Sequence, residues 1–446
     1  VRPQVGRRSE EEAGGRASLR DYQTKAIADA RAAVRRGSKR VVLVLPTGAG
    51  KTRTGGEIAR LAVGKGGRIL WLAHRGELVD QAARALRALG LDVGGISASS
   101  SVSPQPHAPV QIATVQTLLS RPASRPPATL IVADEAHHYV AEQFRTVLEH
   151  YPNALTLGLT ATPERSDGRG PGEMYTGLVV GATVEQLTTL GHLVPCEIIR
   201  PAKALGRGDI AKHPVDAYVA HAAGTRAIVF ARFVAEAESF AAEFNARGIP
   251  AACLHGNTPW GERQDTIARF RSGAIRVLVN VYCLTEGFDA PETETCILAR
   301  GAGSVGLYLQ MVGRVLRPAP GKARALLIDL KGVSHYHGEP ADDREYALDG
   351  RGISAKAEAV YCPVCGAERA PGEGCESCGW QPDSGGRSEL EVTNDPLVKY
   401  AAKRAETPEQ RRATLERWQA EGRARGHKPG WAAAKFKAVY GSWPAR

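Results

Sequence analysis

Long apolar runs are scarce in this 446-residue chain. A membrane-spanning helix needs roughly 20 consecutive apolar residues. The longest runs here, such as 41–45, have only the length of a buried strand. The first residues are polar and rich in Gly and Arg, without the apolar segment of an export leader. A cytoplasmic, reducing home with no membrane partner is therefore the expectation. Methionine is rare, two residues in all, and position 1 is Val, which leaves the natural start open. Acidic residues are in deficit, 47 against 58 Lys and Arg, for a net charge of +11. An excess of this sign suits a polyanionic partner, although plain solubility accounts for it equally well. Only eight cysteines occur. Cys196, Cys253, Cys283 and Cys296 are scattered in apolar surroundings and read as small core residues.

The length calls for two or three domains, and 43% hydrophobic residues supply enough for sizeable cores. After a polar stretch at 1–17, expected to be disordered, short β-rich runs alternate with Ala/Leu/Arg-rich helical stretches. The runs at 41–45, 68–72, 111–113, 130–132 and 155–159 are mostly apolar, the pattern of strands covered on both faces. Apolar residues at 3–4 spacing place a helix at 76–89. A second alternating series starts near Pro214, with strands expected at 227–230, 251–254, 277–281, 296–299 and 326–329. Repeated βα units imply parallel sheets, so the fold class is α/β with two tandem parallel-sheet lobes. Their expected bounds are 18–195 and 196–350.

Chemistry concentrates in short motifs. Leu45-Pro46-Thr47-Gly48-Ala49-Gly50-Lys51-Thr52 follows a strand and opens a helix. In that context the backbone N–H groups of Gly48, Ala49 and Gly50 can wrap phosphate oxygens, Lys51 can meet the β/γ-phosphates and Thr52 can ligate Mg²⁺. The usual pattern has a small residue where Leu45 stands. A plain Gly-rich turn is the alternative. Asp134-Glu135-Ala136-His137 ends a strand, which aims its carboxylates at the ligand crevice of an α/β sheet. Asp134 then suits Mg²⁺ through water, and Glu135 suits the attacking water. Two acids at a helix start would also satisfy the helix dipole.

With both motifs in place, the chain resembles a superfamily 2 helicase of the DEAD/DEAH-box kind over residues 19–330. The resemblance implies two RecA-like lobes that hydrolyse ATP with Mg²⁺. It makes Arg20 and Gln23 an adenine-reading motif and adds Thr47 to the phosphate loop. Ala73-His74-Arg75 resembles motif Ia, Thr114-Val115-Gln116-Thr117 motif Ib and Thr160-Ala161-Thr162 motif III. Val229-Phe230-Ala231-Arg232 resembles motif IV. Thr285-Glu286-Gly287-Phe288-Asp289 resembles motif V, with Gly287 and Asp289 at the nucleotide. Gln310, Arg314 and Arg317 resemble motif VI, with both arginines as fingers on the γ-phosphate. His74, Arg75, Thr114, Thr160, Thr162, Arg232 and Thr285 are the implied nucleic-acid contacts. Asp-Glu-Ala-His in place of Asp-Glu-Ala-Asp, and Gln310 in place of His-Arg, point away from the common RNA helicases.

Cys362-Pro-Val-Cys365-Gly366 and Cys375-Glu-Ser-Cys378-Gly379 form two C-x-x-C-G knuckles. Four thiolates match structural Zn²⁺, which places a zinc ribbon at 355–382; two disulfides or a redox pair are the alternatives. The basic segment 396–446 reads as a small helical tail, started by Thr407-Pro408. A hairpin docked by its aromatics and an auxiliary nucleic-acid grip stand level as readings of it. Lobes, ribbon and the tail segments Lys428-Pro429-Gly430-Trp431 and Ser442-Trp443-Pro444 together resemble bacterial RadD-type DNA-repair helicases and their phage relatives. That resemblance implies a monomeric ATPase on single-stranded or branched DNA without sequence preference, with a single-stranded-DNA-binding protein as candidate partner. An RNA helicase, a restriction-system motor subunit and an annealing module with a vestigial ATPase remain the alternatives.

Overall fold

The structure is a computed structural model, and it describes residues 18–74, 76–96, 102–139, 141–163, 170–206, 209–285, 288–349, 360–361, 368–369, 390–400 and the helical positions 412, 415, 416, 419, 420 and 432. The expected disordered N-terminus, the four clustered cysteines and most of the basic tail lie outside these residues. So do Arg75 and Gly287.

The first lobe runs α1 (Asp21–Arg35), β1 (Arg40–Val44), α2 (Lys51–Val63), β2 (Ile69–Leu72), α3 (Gly76–Ala88), β3 (Val93–Gly95), β4 (Val110–Ala113), α4 (Val115–Ser120), β5 (Leu130–Asp134), α5 (Ala141–Glu149), β6 (Leu155–Thr160), β7 (Gly177–Val180) and α6 (Val184–Thr189). Its strands form one seven-stranded sheet in the order β3-β4-β2-β5-β6-β1-β7. All six ladders are parallel, with β1 between β6 and β7 so that Val42 faces Gly158 on one side and Leu178 on the other. A parallel sheet flanked by helices buries both faces, which is why β2 and β4 are buried at every position. Phe144, Val147 and Tyr175 pack on one face of this sheet with Leu70, Leu72 and Ile131.

The second lobe follows with β8 (Cys196–Pro201), β9 (Asp209–Ile210), α7 (Pro214–His221), β10 (Ala227–Phe230), α8 (Val234–Ala246), β11 (Ala251–Leu254), α9 (Trp260–Ser272), β12 (Val277–Asn280), β13 (Thr295–Leu298), α10 (Val305–Gly313), β14 (Ala325–Asp329) and α11 (Ser334–His337). Two strands, β15 (Val360–Tyr361) and β16 (Glu368–Arg369), form a short antiparallel ladder. Then come β17 (Glu391–Val392), which pairs with β9, and β18 (Leu397–Tyr400). The sheet order is β11-β12-β10-β13-β14-β8-β18. Sequence reading expects a helical segment from 396, whereas 397–400 is a strand at this sheet's edge. Val229, Phe240, Phe244 and Ile297 belong to the lobe's core. The scattered cysteines are free thiols. Burial pushes Cys196 and Cys253 up to about 12 and raises Cys296 well above the usual thiol value, as suits small packing residues.

In both lobes the loops that leave the carboxyl ends of parallel strands carry the motifs. This is the edge at which open α/β sheets bind ligands.

Candidate active site between the lobes

The phosphate loop spans the gap between the end of β1 and the start of α2. Gly50 caps α2 in the left-handed region at φ +77°, and Gly48 sits there too at +87°. A Cβ on Gly50 would lie 2.6 Å from Gln23 Nε2, so only glycine allows both the turn and this neighbour. Gln23 and Tyr22 reach the loop from α1. Tyr22 Oη donates to the Ala49 carbonyl at 2.8 Å, and Gln23 Nε2 donates to the same oxygen at 3.2 Å. Gln23 Oε1 accepts from the Arg20 amide at 3.0 Å. The amide expected to read adenine thus also braces the phosphate loop. Leu45, the departure from the usual loop pattern, is fully buried beside Gly181, which leaves it room. The Thr47 hydroxyl is buried with no hydrogen-bond partner among the described residues.

Lys51 is buried and its Nζ lies 3.4 Å from Glu135 Oε1. Glu135 follows β5 with φ +49°, a left-handed backbone that non-glycine residues rarely adopt. Asp134 Oδ1 accepts the Glu135 amide at 3.1 Å. Such strain concentrates where surrounding structure fixes a functional carboxylate.

His137 links the lobes. Its Nε2 is 2.7 Å from Gln310 Nε2, and its Nδ1 is 3.0 Å from Thr160 Oγ1. The Gln310 amide nitrogen is a donor, so His137 Nε2 accepts and Nδ1 donates to Thr160. The Thr160 hydroxyl in turn donates to the Thr162 carbonyl. One directed run of hydrogen bonds therefore joins motif VI of the second lobe to motif III of the first. Helix α10 lies close enough that a Cβ on Gly313 would sit 2.5 Å from Thr47 Cβ.

Past α10, Arg314 is buried. It donates to the Thr285 carbonyl at 2.6 Å and 3.1 Å and to the Phe288 carbonyl at 3.0 Å. Arg317 pairs with Asp289, and its Cγ is 3.1 Å from where a Gly48 Cβ would stand. Asp289 also offers its carbonyl to Arg271. A cavity of about 330 Å³ is lined by the phosphate loop, Thr52, Asp134, Glu135, Asp289, Arg314 and Arg317. It combines cations and backbone amides for phosphates with two carboxylates for a hydrated metal.

The expected strand contacts fall into different surroundings. Arg232 is committed to Glu236 through a bidentate pair, with Nε–Oε1 at 3.0 Å. Thr114 caps α4 by accepting from the Thr117 amide. Thr162 faces Gly306 of the other lobe. Thr285 donates to the Tyr282 carbonyl, and His74 stacks on His138 at 4.3 Å. Sequence reading assigns no role to Tyr22, His137 or Arg271. His137 has a visible signal, its place in Asp-Glu-Ala-His, whereas the other two are found only through tertiary contacts.

A phosphate loop on one RecA-like sheet and an arginine pair on a second define a two-lobed nucleotide hydrolase. The family profile for the type III restriction enzyme res subunit matches residues 16–165, and that for the helicase conserved C-terminal domain matches 212–319. The chain is 34% identical over 347 residues to a 51.5 kDa protein of a Lactococcus phage, covering 72% of this chain and 74% of that one. It is 28% identical to IRC3 of Saccharomyces cerevisiae, named for ATP-dependent helicase activity, over 71% of this chain and 52% of the yeast protein. The chain thus spans only about half of that relative. A solved fragment assigned as the HsdR subunit of a type I restriction enzyme from Vibrio vulnificus has a similar fold, with TM-score 0.57 and 22% identity over 75% of this chain and 70% of the fragment. The chain belongs to the superfamily 2 helicases, ATP-hydrolysing helicase and translocase enzymes.

Proposed function

We propose that the chain is a DNA-dependent motor that hydrolyses ATP in the cleft between its lobes and acts in DNA repair or recombination. The observation that carries the ATPase part is the placement of Arg317 against Gly48. A finger from the second lobe stands over the phosphate loop of the first, so hydrolysis depends on both lobes.

In this reading Lys51 and the loop amides hold the β- and γ-phosphates. Glu135 takes a proton from the attacking water as the water oxygen bonds to the γ-phosphorus. The bond to the β–γ bridging oxygen breaks, and ADP leaves with its electrons. Arg314 and Arg317 offset the charge that spreads over the γ-phosphoryl group, an effect of about 10³–10⁵-fold for such fingers. Thr52 and Asp134 border the same cavity and fit Mg²⁺, which when bound supplies charge neutralisation at the phosphates. Gln310 and His137 report the state of the site to Thr160 and Thr162.

DNA as the polymer is supported by the positive net charge, by the restriction-enzyme family profile and by the motif departures from RNA helicases. Phosphate contacts position a strand without reading sequence, so no sequence preference is expected. Cys362, Cys365, Cys375 and Cys378 are proposed to hold one structural Zn²⁺, on their spacing. A monomeric state, cytoplasmic location and a single-stranded-DNA-binding protein as partner complete the reading. The restriction-enzyme profile also favours a second reading, the motor subunit of a restriction system; a nuclease that co-purifies with the chain selects it.

The test is ATP hydrolysis measured with single-stranded DNA, duplex, fork and single-stranded RNA. Stimulation by the DNAs is expected. Stimulation by RNA alone overturns the DNA assignment, and no hydrolysis with any polymer overturns the motor.

A further inference from the structure

The loops that leave the carboxyl ends of β10, β12 and β13 carry two exposed aromatics and a buried cation. Tyr282 follows β12 and is 46% exposed, and Phe233 follows β10 and is 40% exposed. Arg300 follows β13 and is only 8% exposed. In the sheet β10 lies between β12 and β13, yet Arg300 and Tyr282 meet across its end. The guanidinium carbon stands 3.6 Å from the centre of the Tyr282 ring, and Nη2 donates to the Tyr282 hydroxyl. Arg300 Nε donates to the Gly301 carbonyl, while Nη1 is buried with no hydrogen-bond partner among the described residues. No carboxylate pairs with Arg300 among those residues. A desolvated, unpaired guanidinium is costly unless an anion or an electron-rich ring faces it.

Tyr282 has a second oddity. Its backbone is left-handed at φ +60°, where a bulky side chain is an outlier. The ring at this position stays 46% exposed. The Tyr282 carbonyl accepts from the Thr285 hydroxyl at 2.6 Å, and the Thr285 carbonyl accepts from Arg314. Two hydrogen bonds through Thr285 therefore connect the backbone of Tyr282 to an arginine lining the ATP cavity.

The geometry points to Tyr282, backed by Arg300, as a stacking platform for a base of single-stranded nucleic acid at the carboxyl edge of the second lobe. The guanidinium covers one face of the ring, and the open face matches an unpaired base, since every base has a π-face and stacking tolerates any sequence. Phosphate contacts alone would not distinguish a strand with bases from one without. This platform does, and it favours single strands over duplexes whose bases are already stacked. The inference rests on the nucleic-acid reading above.

The test compares a labelled oligothymidylate with an abasic sugar-phosphate chain of equal length at one fixed salt concentration, by fluorescence anisotropy with a non-hydrolysable ATP analogue. The wild type is expected to bind the base-bearing strand about 5- to 150-fold more tightly, the size of a single base–aromatic stack. Tyr282→Phe keeps the ring and the ratio. Tyr282→Gly relaxes the left-handed backbone but uncovers Arg300, so its folding is checked by circular dichroism and melting temperature, and in the folded variant the ratio is expected to fall close to one. Tight wild-type binding of both chains with equal affinity, or a ratio unchanged in Tyr282→Gly, overturns the platform alone. If the wild type binds neither chain, the polymer assignment falls with it, and the exposed rings are left to a protein partner.

Discussion

At the residue scale, the account rests on carboxylates and cations held by named partners. Glu135 has a strained backbone and lies 3.4 Å from Lys51, and the proposed function makes it the general base. Glu135→Gln removes the base with little change in shape. Hydrolysis is expected to fall about 10²–10⁴-fold, the range for a positioned base, while fluorescent-nucleotide titration shows binding retained. Wild-type turnover in that variant contradicts the assignment. Lys322 gives a pH test. Its Nζ donates to the carbonyls of Thr293 at 2.6 Å, Arg317 at 2.7 Å and Pro291 at 2.9 Å, tying the finger segment to the loop after motif V. Burial pushes its pKa from 10.5 to about 8. The folded pKa lies below the unfolded one, so between about 8 and 10.5 the folded chain binds fewer protons, and this group's contribution to stability rises with pH. Function moves the other way: the neutral amine has one donor fewer for three carbonyls, so turnover is expected to decline above pH 8 without a matching loss from this group in melting temperature. Lys322→Met is expected to lack that alkaline limb in its pH–rate profile.

At the element scale, α10 is the piece that brings the lobes together. Its Gly306 and Gly313 meet Thr162 and Thr47 at distances that leave no space for a Cβ. Gly313→Val is expected to push α10 off the phosphate loop. Steady-state hydrolysis then falls at least tenfold while ATP still binds the first lobe; unchanged hydrolysis contradicts the packing argument. The elements also show which features are legible in sequence. The strands at 227–230 and 251–254 lie where the apolar runs place them; the first is buried at every position, as a parallel strand covered on both faces is, and the second is a partly buried edge strand. The helix expected at 76–89 ends one residue earlier, at Ala88. By contrast β3 is Val-Gly-Gly and has no apolar signature, while β7 is a short Leu-Val-Val run behind a glycine. β8 hides in the expected junction between lobes, and it pairs with β14, a partner far along the chain. Glycines of the phosphate loop are legible because their left-handed turns demand them. The His137–Gln310 bond spans 173 positions and the Arg300–Tyr282 pair 18. No local periodicity encodes either.

At the scale of the molecule, the proposed function leaves neither lobe with a complete hydrolytic site. The first supplies Lys51, Thr52, Asp134 and Glu135, and the second supplies Gln310, Arg314 and Arg317. A site divided in this way links hydrolysis to lobe closure and hence to what the lobes grip. The most direct measurement is phosphate release at saturating ATP by Arg317→Ala, with and without single-stranded DNA, beside nucleotide titration of the same variant. Arg317 contributes to the cavity from the second lobe and is not a deeply buried core residue, so its removal leaves the fold in place. The expected result is wild-type-like ATP affinity with turnover reduced about 10³-fold or more under both conditions. Turnover retained near the wild-type rate contradicts a site shared between the lobes.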